Sequence, residues 1–496
     1  MAHVGIVTSW SPPRLRPVFF ILGWFLVSLA AAMLLPVVAD LSVGNPDWRA
    51  FALSAATTLA CGVALVGGCR CGLHAGLTLR QAFVLTPLSW SVVALFGAMP
   101  LAMSGYGSLA DGFTNAFFES MSGLTATGAT ILVGLDAAPP GLLLWRALLQ
   151  WLGGIGIIAA AIAILPALGI GGMQLFRTES SDRSDKVMPR ARQIALAIVL
   201  AYVGLTALCG LLYWLAGMSA FDAVAHALTT LATGGYSTHD RSLGHWDSPA
   251  IDLVAILFML AGAVPFVLYV KLFRRERDVL RDRQVRTLLA VLAVLTVGFT
   301  VYLVATGIHD PLQALRYAAF NVVSIITTTG FANADYLTWG NAAIGVIFAL
   351  TFVGGCTGST TGGIKIFRFE VMASVLRAHF FQLLHPKGVF PRRYAGRVLP
   401  EDVVGSVVVF FSLYLVAYSA LTIALMALDL DFVTSISAAA STLSNVGPGL
   451  GHIIGPVGTF EPLPDPAKWL LCFGMLLGRL ELFTVLVLLM PRFWRG

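Results

Sequence analysis

Charged side chains are scarce. Asp, Glu, Lys and Arg make up 11% of the 496 residues, whereas 57% are hydrophobic. Soluble chains carry roughly a quarter charged residues, so this one cannot cover a soluble particle of its length. Cysteine is sparse as well. Of Cys61, Cys69, Cys71, Cys209, Cys356 and Cys472, only Cys69 and Cys71 are closely spaced. That excludes a disulfide framework and a zinc module built on paired C-x-x-C motifs. Neither an H-E-x-x-H pattern nor a G-x-S-x-G elbow occurs, so nothing speaks for a membrane-embedded enzyme. Polar stretches long enough for a soluble domain are missing too.

What is present is apolar runs of spanning length. They lie near 18–39, 50–68, 82–103, 141–169, 193–217, 250–272, 287–306, 340–353, 403–428 and 467–490. They are too long and too little alternating for barrel strands, and they predict an all-α polytopic membrane protein. The first run exceeds a signal-peptide core of 7–15 residues and reads as a span. Shorter apolar segments near 111–124, 221–232, 311–327 and 432–443 fall between spans. Helices of that length reach only about 18–22 Å, short of the roughly 30 Å hydrocarbon core, and are expected to re-enter.

The net charge is +6, and its placement says more than its size. With the N-terminus in the cytoplasm, most of the 31 Lys and Arg fall in inside loops, around Arg14, Arg80, Arg177, Arg274 and Arg392. Arg49, Arg146, Arg241, Arg316 and Lys468 fall outside, and Arg479 falls within a span. The asymmetry obeys the positive-inside rule only if the four short segments do not cross. It therefore reflects a membrane topology and not nucleic-acid binding. The outside loops are acidic, with Asp40, Asp111, Glu119, Asp136, Asp222, Asp240 and others, and an acidic mouth concentrates cations.

The four short segments share an ending. They run into Ala126-Thr127-Gly128, Ala232-Thr233-Gly234, Thr328-Thr329-Gly330 and Asn445-Val446-Gly447. Asp111, Asp222, Asp310 and Asp431 stand at their starts, where Asp caps helices well. The recurring unit is span, short helix, glycine turn, span. Helix C-termini carry partial negative charge, and glycine tolerates the φ > 0 backbone that turns carbonyls toward an axis. Rings of carbonyls that replace a hydration shell are the chemistry of potassium filters. None of the four triplets contains a carboxylate, which a hard divalent site would use. The triplets are thus candidate K⁺ sites. Further on, Gly354, Gly355, Gly358, Gly362 and Gly363 crowd one decapeptide, 354–363. So many glycines break a helix, and unwound backbone at membrane depth must be buried or line a cavity. Arg479 is a functional candidate because an intramembrane Arg is costly. Lys365 and Arg368 read as cytoplasmic-side anchors, and His226 as a packing residue.

These features resemble the TrkH/KtrB/HKT superfamily of potassium transporters, and within it the bacterial TrkH membrane subunits. The matching stretches are FFESMSGLTATGAT (117–130), the run 148–180, FVGGCTGSTTGGIKIFR (352–368) and 475–495. The resemblance implies four M1-P-M2 units around one pore, preceded by two further helices. It divides the chain at 1–75, 76–180, 181–283, 284–397 and 398–496. It also implies K⁺ as the transported ion with no bound cofactor, since all four filter positions are glycine where some sodium-transporting plant members carry a serine. The fourth triplet, with Asn445-Val446, departs most from the pattern. In such proteins the segment matching 354–363 is an intramembrane gate, and the Arg matching Arg479 is a positive barrier. The resemblance further implies a homodimer in the bacterial inner membrane, working with a cytoplasmic nucleotide-binding regulatory subunit of the TrkA type. The competing reading is a proton- or sodium-coupled symporter, for which Glu119, Asp222 and Glu481 are the titratable candidates.

Overall fold

The computed structural model describes residues 15–70, 77–163, 187–273 and 282–495, with the side chains of 160–192 and 194 left aside. The basic residues Arg14, Arg177, Arg183, Lys186, Arg274, Arg275, Arg277 and Arg281 lie outside that description, as does the 164–180 part of the matching stretch. Among the described residues the chain is helical apart from an antiparallel hairpin, Arg393–Tyr394 with Arg397–Val398, and one isolated bridge.

Among the described residues seven helices are long and apolar enough to span: Arg16–Val43, Trp48–Gly68, Leu79–Ser104, Pro140–Ala159, Ala195–Leu215, Arg283–Ala305 and Glu401–Met426. Their outward faces stay apolar, as at Val294, Val297 and Val301, which are exposed on one side of Arg283–Ala305. Such a surface is matched by lipid tails and not by water. The third of them starts on a capping box: Thr78 accepts from the Gln81 N–H, and the Gln81 side chain accepts from the Thr78 N–H. The first two pack at close range, because a Cβ on Gly23 would meet the Gly62 carbonyl and one on Gly62 the Gly23 carbonyl. Small residues allow this approach.

Three expected spans differ from straight rods. The run near 250–272 is two helices, Pro249–Ala263 and Phe266–Phe273, bent by 94°. Pro265 has no amide hydrogen and cannot continue the ladder. The run near 467–490 breaks by 115° between Asp465–Arg479 and Leu482–Leu489. The run near 340–353 is helical only over Asn341–Leu350, ten residues. At the Pro265 break neighbouring protein takes up the freed backbone, as shown below.

The four short helices are Phe113–Leu124, Ala220–Leu231, Pro311–Ile326 and Phe432–Ser444. Their C-terminal turns are buried throughout, for example Glu119 to Leu124 and Ser437 to Ser444. Buried apolar side chains form two main cores. One joins the N-terminal helices with the first and fourth units, and the other mainly the second and third. The expected acid at each short-helix start holds unevenly. Asp431 caps by accepting from the Thr434 N–H, and Asp310 sits at the cap before Pro311 without a side-chain bond. At the second helix Ser219 is the cap, and at the first it is Gly112, so Asp222 and Asp111 do not have that role.

Candidate functional site

The four short helices unwind in the same way. Just past each one a non-glycine residue adopts left-handed backbone: Ala126 at φ 50°, Thr233 at 50°, Thr328 at 54° and Asn445 at 55°. The next amide reaches back into the last turn. Thr127 donates to Ser122, Gly234 to Thr229, Thr329 to Ser324 and Val446 to Ser441, each at 2.9 Å. A glycine with positive φ follows: Gly128 at 84°, Gly235 at 79°, Gly330 at 79° and Gly447 at 104°.

This register corrects the second triplet. By conformation and by hydrogen bonding Gly234 matches Thr127, and Gly235 matches Gly128. Ala232 is only the C-terminal cap of its helix. Aligning the triplets on the first glycine of Thr233-Gly234-Gly235 places the second segment one residue early. The other three triplets keep the expected register.

The glycines close a ring. A Cβ on Gly128 would sit against the Gly234 carbonyl, one on Gly235 against Thr329, one on Gly330 against Val446, and one on Gly447 against Thr127. Each segment thus abuts the next, and the fourth returns to the first. Side chains larger than hydrogen are excluded by space as well as by φ. Among the described residues the carbonyls of Thr127, Thr329 and Val446 accept no hydrogen bond from protein, whereas that of Gly234 accepts one from Gln150 Nε2 at 2.6 Å. Asn445, the residue most unlike its counterparts, spans two units. Its Nδ2 donates to Thr127 Oγ1 and to the Met475 carbonyl, both at 2.9 Å.

A buried scaffold braces the ring. Glu119 and Arg146 form an ion pair at 2.7 Å with side chains 0% and 1% exposed. Neither belongs to an outer acidic or basic surface, where their sequence positions placed them. Glu119 also accepts from Thr130 Oγ1 and the Ile131 N–H. Arg146 donates to the Ser237 carbonyl and lies 4.1 Å from the Tyr236 ring centroid, a cation–π distance. Gln150, one turn further along the same helix, accepts from the Tyr236 N–H. One helix of the first unit therefore clamps the second unit's segment. Between the second and third units Arg316 pairs with Asp252 at 2.6 Å, and Asn333 donates to the same carboxylate. Lys468 is buried and donates to Asn115. Sequence reasoning missed these residues. The available signal was a carboxylate inside an apolar short helix, Glu119, with Arg146 and Gln150 spaced i, i+4 in the following span.

The decapeptide 354–363 packs against the C-terminal ends of the short helices. Gly363 N–H donates to the Ser444 carbonyl, Gly362 N–H to Thr328 Oγ1, and Thr360 Oγ1 to the Leu231 carbonyl. Its backbone also takes up the broken helix at Pro265. Cys356 N–H binds the Ala263 carbonyl, Thr360 N–H binds Gly262, and Gly358 accepts from the Phe266 N–H. Gly354 and Ile364 close its base at 2.9 Å. Gly354, Gly355, Gly362 and Gly363 all sit where a Cβ would strike neighbouring atoms, whereas Gly358 lies at the open tip with φ 81°.

Arg479 touches this loop. Its Nη1 donates to the Thr360 carbonyl at 2.8 Å, and its side chain is 3% exposed. Nε and Nη2 have no partner among the described residues, and no carboxylate pairs with it there. Glu481 instead pairs with Arg368 at 2.5 Å, and Arg368 lies 3.7 Å over the Phe410 ring centroid. Lys365 donates to the Thr361 carbonyl and hydroxyl. Lys365 and Arg368 are therefore engaged with protein groups. They line a cavity of about 50 Å³ together with Thr361, Arg479 and Glu481. His226, as expected, is a buried packing residue, bonded to the Asp222 carbonyl and Ser237 Oγ.

Known proteins share this architecture. The sequence pattern of the TrkH family, described as a cation transport protein, matches residues 51–495. The chain is 48% identical to the Trk system potassium uptake protein TrkI of Halomonas elongata, covering 97% of each chain. It is 37% identical to the Trk system potassium uptake protein TrkH of Vibrio parahaemolyticus, over 97% of this chain and 100% of that one. The crystal structure of the potassium transporter TrkH from Vibrio parahaemolyticus superposes with a TM-score of 0.89, at 35% identity, over 97% of this chain and all of the other. A glycine ring on four short helices, in a helical membrane chain related to those proteins over nearly its whole length, makes this chain a member of the TrkH family of multi-pass membrane cation transporters and not an enzyme.

Proposed function

We propose that this chain takes up K⁺ across the bacterial inner membrane through the ring formed at Thr127-Gly128, Gly234-Gly235, Thr329-Gly330 and Val446-Gly447, flanked by Ala126, Thr233, Thr328 and Asn445. The observation that carries the reading is the ring's closure, in which each glycine abuts the carbonyl of the next unit. K⁺ suits a site of neutral oxygens, where carbonyls replace its hydration shell. No carboxylate enters the ring, so a divalent ion is not held there. The Gly234 carbonyl is shared with Gln150, so the second unit coordinates less strongly than the other three.

The 354–363 loop acts as the gate and Arg479 as its charge. Uncompensated cationic charge below the ring opposes K⁺ until loop and arginine move together, because they share the Thr360 bond. The coupled-symport reading has less support: Glu119 is paired with Arg146, Glu481 with Arg368, and Asp222 is held by Ser219 and Thr238. Family likeness extends the proposal to a homodimer, a cytoplasmic N-terminus and a cytoplasmic nucleotide-binding regulatory subunit of the TrkA type that moves the loop. The test is K⁺, Rb⁺ and Na⁺ flux in liposomes holding the purified chain. Flux that favours K⁺ and Rb⁺ and does not depend on a pH gradient supports the reading, and flux that collapses without a pH or Na⁺ gradient overturns it.

A further inference from the structure

The cavity of about 50 Å³ lies between the 354–363 loop and the break in the last span. Four buried side-chain atoms on its lining residues have no hydrogen-bond partner among the described residues. They are Arg479 Nε and Nη2, Thr357 Oγ1 and Thr484 Oγ1. Arg479, Thr357 and Thr484 are 3%, 7% and 1% exposed. Other bonds hold all three in place. Arg479 Nη1 donates to the Thr360 carbonyl, the Thr357 N–H to Gln284 Oε1 at 3.0 Å, and the Thr484 N–H to the Glu481 carbonyl at 2.8 Å.

The unpartnered atoms share one chemistry. Guanidinium nitrogens can only donate, and a hydroxyl can turn its hydrogen toward any acceptor. Among the described residues no unpartnered carboxylate or carbonyl oxygen of a side chain lines the cavity. Charge points the same way. Lys365, Arg368 and Arg479 line the cavity, and Glu481 is the one carboxylate there among the described residues, engaged by Arg368 at 2.5 Å. Three cations against one carboxylate leave a formal excess of +2. Water would satisfy the donors but not the charge, and an unpaired buried charge is costly. A monatomic anion supplies the acceptor and the countercharge together. Volume limits its size. At about 15 Å³ for each water-sized particle, the cavity holds about three, too little for a nucleotide.

We propose that this cavity binds one chloride ion, held by Arg479 Nε and Nη2 and by the hydroxyls of Thr357 and Thr484. Thr357 belongs to the loop, Arg479 ends the helix before the break, and Thr484 lies in the helix after it. The ion therefore ties the loop to both sides of the broken span. With one chloride bound the formal excess falls to +1, so the cavity still opposes a cation. The site is read from the cavity's own atoms and stands whether or not the loop is the gate.

The test pairs two measurements on the full chain. Crystals grown in bromide locate the ion by its anomalous scattering. Thermal unfolding in detergent is followed in chloride, bromide or gluconate at equal ionic strength. The result expected is an anomalous peak in the cavity, within hydrogen-bonding reach of Arg479 Nη2. The unfolding temperature should rise saturably with chloride and bromide relative to gluconate, because the ion binds the folded chain. Arg479→Gln should remove both the peak and the rise, yet in gluconate it should unfold no lower than the wild type. Thr484→Val keeps shape and charge but loses a bond to the ion, so the chloride concentration at half effect should rise about tenfold or more. If Arg479→Gln does not fold, Thr357→Val takes its place, with the shift expected of Thr484→Val. A wild-type cavity that shows no bromide peak holds water only and overturns the proposal, even where chloride raises the unfolding temperature through surface ions. A peak and a temperature rise that both variants leave unchanged overturn it as well.

Discussion

The ring and the loop below it are both buried, both polar and both built on glycine, yet they handle charge in opposite ways. At the ring, Arg146 spends its donors on Glu119, Thr130 and Ser237 and lies against Tyr236. At the loop, Arg479 makes one bond to a backbone carbonyl and leaves two nitrogens without partners among the described residues. A compensated buried charge fixes one geometry. An uncompensated one stays costly until its surroundings change. Under the proposed function, the comparison teaches that a ring with its charges compensated would hold still and a loop against an uncompensated charge would be displaced.

The sharpest way to break the comparison is to strand a charge at the ring. Glu119→Gln leaves Arg146 buried without its anion, and removing one partner of a buried pair costs about 3–5 kcal/mol. Thermal unfolding should show a marked fall, with less folded protein, and what remains should discriminate poorly between K⁺ and Na⁺. A variant as stable as the wild type would mean that the pair does not brace the ring. Arg479→Ala should do the reverse. It removes a charge that no carboxylate needs, so stability should hold or rise. Two unit charges about 6 Å apart at an effective dielectric near 20 repel by roughly 3 kcal/mol, about a hundredfold in rate. K⁺ flux per folded molecule should rise toward that limit, and unchanged flux in a stable variant would remove Arg479 from the barrier.

A smaller effect tests the register of the second segment. Gly128→Ser and Gly235→Ser each force a side chain into left-handed backbone and against a neighbouring carbonyl. Strain of about 1–3 kcal/mol is expected, and K⁺/Na⁺ flux ratios should fall about tenfold or more. Gly234 lacks positive φ, and a Cβ there meets the Gln150 side chain, which can move. Gly234→Ser should therefore cost less selectivity than Gly235→Ser. The opposite ranking would restore the register read from the triplets alone.

Much of this was legible in the sequence, and what was not has a physical reason. Apolar run length separates long helices from short ones, so the four short helices fall within two residues of expectation. Helix breaks at Pro265 and Glu481 were hidden because apolar composition continues across them. The adjacent pair Gly234-Gly235 hid which glycine carries the positive φ, since that depends on where the helix ends. Arg146, Arg316 and Lys468 look like loop charges at span ends, and only packing shows that Arg146 and Lys468 are buried against Glu119 and Asn115 and that Arg316 is half-buried against Asp252.

The smallest effect concerns how firmly the fourth segment is seated. Asp431 is the one acid that caps its short helix as the sequence predicted, accepting from the Thr434 N–H at 3.0 Å. Hydrogen bonds from the Thr434 hydroxyl and amide hold its carboxyl below the ordinary value, although burial pulls slightly the other way. With the folded-state value depressed, the stabilisation is fully present above the unfolded carboxylate range, near pH 4, and is lost as pH falls through the lower folded value. Asp431→Ala should cost about 1 kcal/mol near neutral pH, seen as a small drop in unfolding temperature, and should flatten the loss of stability below about pH 4. Phe432–Ser444 carries the segment in which Asn445 reaches across to Thr127, so a loosened cap should also blur selectivity slightly. If Asp431→Ala shifts stability equally at pH 3 and pH 7, the cap is not the origin of the acid sensitivity, and the fourth segment is seated by its contacts at Ser444 and Asn445 and not by its cap.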